Sequence, residues 1–189
     1  TLAILIRYNE VILEICEGQA YDMEFENKDF VSVSDYLLMS SKKTGSLFEL
    51  CFEIASLISD KYKKNVNELK KLGRSLGVIF QIQDDILELE TDSENMGKGT
   101  FSDIERNKKT ILTCFAMEKN LSDWKKLIES TNHENISGKK KSIYNFFIEN
   151  NLKEESDKLL ADYTSQCNDI INELPDKIQG GLNELISYI

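Results

Sequence analysis

Proline, histidine and tryptophan each occur once in this chain of 189 residues, as Pro175, His133 and Trp124. With so little proline and no sustained alternation of apolar and polar residues, strand and turn patterning has almost nothing to work with. One histidine, set in the polar stretch Thr131-Asn132-His133-Glu134-Asn135, cannot build a zinc centre and is given a structural place. Trp124 is expected in a core or helix contact. The cysteines Cys16, Cys51, Cys114 and Cys167 lie far apart with no CxxC pair, which excludes a disulfide framework and predicts reduced, mostly buried thiols. No apolar run approaches the roughly 20 residues of a membrane span, and the N-terminus lacks the order of a signal peptide. A soluble, cytoplasmic protein is the expectation. Basic charge is short as well: 23 lysines and arginines against 33 aspartates and glutamates leave a net charge of −10. That balance disfavours nucleic acid or an anionic membrane surface as a partner. An acidic chain can still hold a polyanion where divalent cations bridge its carboxylates and a few lysines converge.

Apolar residues make up 41% of the chain, enough to bury one ordinary domain core. They recur three and four apart over long stretches, so the predicted fold class is all-α. The sequence opens at Thr1 straight into the apolar run Leu2-Ala3-Ile4-Leu5-Ile6 with no capping residue, and is expected to begin mid-protein. A helix from Leu2 to Phe25 is apolar on most sides near its start, as for a helix inside a bundle. Ser32 with Asp35 forms a capping-box pattern ahead of a helix reaching about Ser59, with a local irregularity at Gly45. Asn65 with Glu68 marks the next start, and helical spacing continues to about Glu90. Within it Gly73 and Gly77, four apart, let another helix backbone come close. Thr91 to Ser102 is predicted as a loop, Asp103 to Glu118 as a helix, Ser122 as the cap of a short one, and Thr131 to Gly138 as a polar connection. The last helices span Lys139 to Asn150, Leu152 to Leu174, and the residues beyond Pro175.

In the long central helix, Phe80-Gln81-Ile82-Gln83-Asp84-Asp85-Ile86-Leu87-Glu88 carries three carboxylates. Asp84 and Glu88 share a face, about 6 Å apart along the axis, with Gln81 one turn earlier near the same side. Like charges at that spacing repel by a few tenths of a kcal/mol, so the cluster calls for a compensating cation. Oxygen ligands without histidine or thiolate suit a hard ion such as Mg2+, which keeps waters and binds substrate phosphates too. A solvated acidic face is the plainer alternative in a chain this acidic.

Further short motifs stand in order around this one: Gly18-Gln19-Ala20-Tyr21-Asp22, Lys43-Thr44, Gly97-Lys98, and Asp103 through Lys108 to Thr110. With FQxxDDxxE in the middle, the series resembles the trans-isoprenyl diphosphate (polyprenyl) synthases, over roughly Ile12 to Phe115. The resemblance implies an antiparallel helical bundle of the isoprenoid synthase type with its N-terminal helices missing, residues 1–189 being the C-terminal part of a single domain. It implies that Asp84, Asp85 and Glu88 hold Mg2+, and that Lys43, Thr44, Gln81, Lys98 and Lys108 contact the diphosphate of an allylic substrate. Lys43, Gln81, Asp84, Asp85 and Lys98 would carry the catalysis, while Gln19, Asp22 and Phe80 would line the pocket or stand behind those groups. The allylic diphosphate would ionise and isopentenyl diphosphate would attack the cation, with Lys98 on a loop that could close over the substrate. Three positions depart from the family's pattern: Glu88 replaces an aspartate, Asn107 a frequent glycine and Leu112 a frequent proline.

The family's first acidic motif, DDxxD, should precede this sequence, and nothing in it substitutes for that motif. The segment alone is therefore expected to be inactive, the missing N-terminal half supplying the opposite acidic wall. A homodimer is expected by analogy. Other readings stay open: a non-catalytic subunit of a heteromeric prenyl synthase, an ionisation-dependent terpene cyclase, or a helical scaffold with an accidental acidic face. The retained lysines and aspartates weigh against the first, and the KT, FQxxDD and GK series against the second. Product length is not legible, because the residues that set it in this family lie ahead of the first acidic motif.

Overall fold

The computed structural model describes residues 2–59, 61–94, 107–131 and 136–189, the side chains of 88–94 and 136–137 excepted. Among these residues every regular element is helical, as the apolar spacing predicts. In order they are α1 (Leu2–Phe25), α2 (Val33–Ser40), α3 (Ser46–Ile58), α4 (Val66–Glu94), α5 (Ile111–Thr131), α6 (Ile136–Glu149), α7 (Leu152–Asn172) and α8 (Asp176–Tyr188). They fall into two compact units: Thr1–Tyr21 with Leu37–Gln81 and Leu160–Ile189, and Asp22–Tyr36 with Ile82–Leu159.

Local chemistry sets most of the boundaries. At α2 the capping box is closed: the Asp35 N–H donates to Ser32 Oγ at 3.0 Å and the Ser32 N–H to Asp35 Oδ2 at 3.3 Å. At Asn65 the same pattern stays open, because its N–H donates to the Tyr62 carbonyl at 2.9 Å and Glu68 Oε2 is buried without a hydrogen-bond partner. A short 3-10 turn, Lys63–Asn65, leads into α4 instead. That helix runs on to Glu94, so residues 91–94 are helical and not loop. Asn107 to Thr110 are non-helical, and α5 begins only at Ile111. Asn107 has a φ of 57°, left-handed backbone that glycine or asparagine accepts most readily, which accounts for the frequent glycine at this position in the family it resembles. The chain bends inside α5 at Asn120, whose Oδ1 accepts the Asp123 N–H at 3.1 Å, so Asn120 and not Ser122 caps the second half. Residues 136–138, expected in a connection, open α6.

In the first unit, Leu69, Leu72, Leu76 and Ile79 on α4 stand three and four apart and pack against Cys167, Ile171 and Leu174. Full burial of such side chains contributes about 1.5–3 kcal/mol each. Burial pushes the Cys167 thiol up to about 11. All four cysteines are free, yet only Cys114 and Cys167 are buried; Cys16 and Cys51 are exposed, against expectation. The start of α1 also differs from a bundle interior, with Leu2 72% and Leu13 65% exposed, since no described residue covers that face. In the second unit, Trp124 is buried as expected and stacks on Phe147 at 5.7 Å between ring centroids, with Phe146 tilted beside it.

A network of ion pairs also ties α1, α3 and α4 together in the first unit. Arg7 reaches Glu14 at 3.1 Å, Glu49 at 2.8 Å and Glu53 at 2.9 Å. Arg74 reaches Glu14 at 2.7 Å and pairs with Glu49 as well. Burial alone would push the Glu14 carboxyl up, but the guanidinium groups of Arg74 and Arg7 outweigh it and hold the group below its ordinary 4.5. A depressed carboxylate contributes stability that is fully present above its unfolded value and is lost as pH falls through the folded one. Glu14→Gln should therefore lower the unfolding free energy by about 1–2 kcal/mol near neutral pH. The same substitution should flatten the loss of stability below the ordinary glutamate value of 4.5. Urea denaturation of both proteins across that range measures the two effects.

Candidate functional site

Three of the expected residues of the first unit, Lys43, Thr44 and Gln81, meet at one irregular turn. Lys43 and Thr44 lie in a π-helical turn, Ser41–Gly45, joining α2 to α3, where the Ser46 N–H reaches back five residues to the Ser41 carbonyl. The irregularity expected at Gly45 is thus a widening of the whole turn, a form that recurs at functional sites. Two glycines on other helices let it sit where it does. A Cβ on Gly18 of α1 would lie 2.7 Å from Lys43 Cα, and one on Gly77 of α4 would lie 2.6 Å from Gly45 Cα. No larger side chain fits at either place without moving the turn. Thr44 Oγ1 donates to Gln81 Oε1 at 3.0 Å, which brings two expected residues into direct contact. Of the neighbouring lysines, Lys42 is engaged by Glu17 at 2.6 Å, and that hydrogen-bonded pair holds its ammonium above the usual lysine range. Lys43 is half-buried.

In the second unit the adjacent aspartates have opposite surroundings. Asp84 is exposed, whereas Asp85 is 6% exposed. Asp85 Oδ2 accepts a hydrogen bond from the Tyr36 hydroxyl at 2.6 Å and another from the Ile111 N–H at 2.9 Å. Ile111 is the first residue of α5, so Asp85 satisfies one of the amides that a helix start leaves without an internal partner. Neither Tyr36 nor the Ile111 amide was among the residues expected from the motifs. The sequence did hold a signal: Asp85 follows Ile82 by three and precedes Ile86 by one, on the stripe of α4 that turns inward, and a carboxylate there needs donors.

The remaining expected residues are scattered in environment. Lys108 is half-buried, and Lys109 beside it is 5% exposed with Nζ donating to the Asn107 carbonyl at 2.9 Å; burial pushes its pKa below the usual lysine range. Gln19 is exposed and Asp22 buried. Phe80 is 46% exposed and tilted against Phe48 at 5.8 Å. The side chain of Glu88, and Lys98 and Asp103 as a whole, lie outside the described residues, as does His133. A cavity of about 270 Å³ in the second unit, beside Lys109, Trp124 and Lys125, is lined by none of the expected site residues.

Among the described residues, no three carboxylate, histidine or cysteine side chains cluster closely enough to cage an ion. Mg2+ needs no such cage, because one or two carboxylates suffice when water and substrate phosphates complete its octahedron. Exposed Asp84 next to the fastened Asp85 offers oxygen donors of that kind. Also among the described residues, no helix is long and apolar enough to cross a membrane.

Comparison with known proteins agrees with the family resemblance. The profile of the polyprenyl synthetase family matches residues 2–147. A short chain isoprenyl diphosphate synthase of Methanocaldococcus jannaschii is 40% identical over 129 residues, 68% of this chain and 39% of the relative. A geranylgeranyl diphosphate synthase of Sulfolobus acidocaldarius is 41% identical over 121 residues, 64% of this chain and 37% of the relative. The crystal structure of a geranylgeranyl pyrophosphate synthetase from Pyrococcus horikoshii superposes with a TM-score of 0.84 at 28% identity, covering 99% of this chain and 57% of that one. The chain therefore matches about two fifths of the length of these curated relatives.

The tight seat of the Lys43 turn has a measurable consequence. Gly18→Ala places a Cβ against the Lys43 backbone and should cost about 1–3 kcal/mol of stability. Gly180, inside α8, has open space where a methyl group would stand, with no neighbour within 4 Å. Gly180→Ala should instead stabilise by up to about 1 kcal/mol. Denaturant midpoints of the two variants check the contrast in sign.

Proposed function

The chain belongs to the polyprenyl synthetase family, and from that premise we propose that it forms the diphosphate-gripping part of a chain-elongating, Mg2+-dependent prenyltransferase. The observation that carries this reading is the division of labour within FQxxDD: Asp84 stands exposed, while Asp85 is buried with Oδ2 fastened by Tyr36 and Ile111. One carboxylate is offered outward and its neighbour is held in place. A merely solvated acidic face has no reason to bury one of its members.

In this reading Asp84 and Asp85, with Glu88, hold the Mg2+. When bound, the ion supplies stabilisation for the charge that grows on a departing diphosphate. Lys43, Lys98 and Lys108 bind that diphosphate through their ammonium groups, and Thr44 and Gln81 orient it through hydroxyl and amide, already joined to each other at 3.0 Å. The allylic C–O bond breaks with its electron pair leaving on the diphosphate. The double bond of isopentenyl diphosphate attacks the allylic carbon, and loss of a proton completes a product one isoprene unit longer. Gln19, Asp22 and Phe80 stand behind or beside these groups. In this reading an N-terminal part of the full-length protein supplies the first acidic motif, and the complete enzyme works as a homodimer in the cytoplasm.

Full-length protein given Mg2+, an allylic diphosphate and isopentenyl diphosphate should release a longer prenyl diphosphate, whereas the 189-residue chain alone should give none. Asp84→Ala in the full-length protein should lower kcat/KM by about 100- to 1000-fold. Turnover unaffected by that substitution removes the metal role, and a cyclic product formed without isopentenyl diphosphate replaces elongation by cyclisation.

A further inference from the structure

The cavity in the second unit has a floor and a mouth of different character. Lys109, Met117 and Trp124 line it and are 5%, 3% and 7% exposed, whereas Lys28, Asp29 and Glu129, which also line it, are exposed. Its volume of about 270 Å³ stands near the lower end of small-molecule sites, which combine apolar and aromatic walls with a few placed polar groups. The walls are tied to one another. Asn107 Nδ2 donates to the Glu26 carbonyl, and Lys125 pairs with Asp29 at 3.0 Å, so the connection between α1 and α2 is fastened both to α5 and to the turn ahead of it. A single enclosed charge lacks an anionic partner. Lys109 Nζ has three N–H donors, and among the described residues its hydrogen bond goes to a neutral acceptor, the Asn107 carbonyl at 2.9 Å, while no carboxylate pairs with it. Burial pushes its pKa below the usual lysine range, although Asp29 and Glu26 draw it the other way. An ammonium enclosed beside an indole and a thioether gains from any anion that reaches it.

We propose that this cavity is a binding site for a small organic monoanion, a carboxylate on a compact apolar body, with the carboxylate taken by the Lys109 ammonium and the body packed on Trp124 and Met117. The carboxylate supplies the charged acceptor that the ammonium lacks, and the indole and thioether take the apolar part. Asp29 and Glu129 at the mouth disfavour a polyanion, and Lys125 is already engaged by Asp29, so the cavity suits one negative charge and not several. None of the residues proposed to grip diphosphate lines it, and the inference stands apart from that reading.

The test titrates the full-length protein, carrying methyl-labelled methionine, with phenylacetate as the probe and follows it by nuclear magnetic resonance. The Met117 methyl signal, assigned through the volume-conserving Met117→Leu, should shift saturably with a Kd of about 1 mM, the range open to a ligand of so few atoms. Phenylacetamide has the same body without the charge and should bind at least about tenfold more weakly, as phenylacetate should to Lys109→Met. Inorganic diphosphate should not displace the probe. A Met117 signal indifferent to phenylacetate, equal affinity for acid and amide, or displacement by inorganic diphosphate overturns the proposal. Undiminished binding to Lys109→Met overturns it as well, and if that variant fails to fold, the comparison of acid with amide on the wild type decides alone.

Discussion

A carboxylate enclosed between isoleucines is tolerable only while hydrogen-bond donors reach it, and Asp85 between Ile82 and Ile86 obtains two on a single oxygen. That requirement constrains a good deal of the second unit. Position 36 has to deliver a hydroxyl from deep in α2, which a phenol does and an aliphatic residue does not. The amide of Ile111 has to point at the same oxygen, so α5 starts there and the preceding residues, Asn107 to Thr110, stay out of helix. Asn107 absorbs the change of direction in left-handed backbone. The start of α2 is fixed twice over, by the Ser32–Asp35 box and by the Val33 N–H donating to Glu118 on α5 at 2.7 Å. A polar residue at a core position thus does here what a packed leucine does elsewhere, with the difference that it specifies direction as well as proximity.

In the first unit the equivalent constraint is volume. The Lys43 turn is held by what is absent at Gly18 and Gly77, whose missing side chains allow backbone to approach backbone. An ion-pair network of Arg7, Arg74, Glu14 and Glu49 ties together the three helices that contribute those residues. Charge and shape act on different quantities: the ion pairs respond to pH, whereas the glycine contacts respond only to side-chain size. A turn seated by sterics keeps its geometry across the pH range in which the carboxylates titrate.

How much of this was legible in the sequence depended on whether the physics is local. The closed capping box at Ser32, the close approach at Gly73 and Gly77 and the helical stripes of α4 follow from neighbours in the chain, and they came out as the patterns indicate. The failures are equally specific. Ser122 matched a capping pattern, but Asn120 took the role because its amide both accepts from and donates to Asp123. Asn65 with Glu68 did mark the next helix start, since α4 begins at Val66, but the box stays open because the Tyr62 carbonyl accepts the Asn65 N–H. Expecting cysteines to be mostly buried overlooked that Cys16 and Cys51 fall on outward faces of α1 and α3. Tyr36 could not emerge from any motif, because its partner lies 49 residues away and only the fold brings the two together.

Consecutive residues of an α-helix differ by about 100° around the axis, so an adjacent pair of aspartates can stand in different environments at the edge of a buried stripe, as Asp84 and Asp85 do. Asp84 faces outward and Asp85 turns toward the interior. In the proposed metal-holding role the doubled acid is not redundancy. A single outward carboxylate would be free to rotate with its side chain, and holding a hard ion in an octahedron that tolerates little distortion would then rest on the substrate alone. The inward neighbour cannot be a hydrophobic residue without giving up its oxygen, nor can it be a carboxylate without donors supplied from elsewhere. The motif fixes the acids by spacing, and the fold completes them with a phenol and a backbone amide that no motif records.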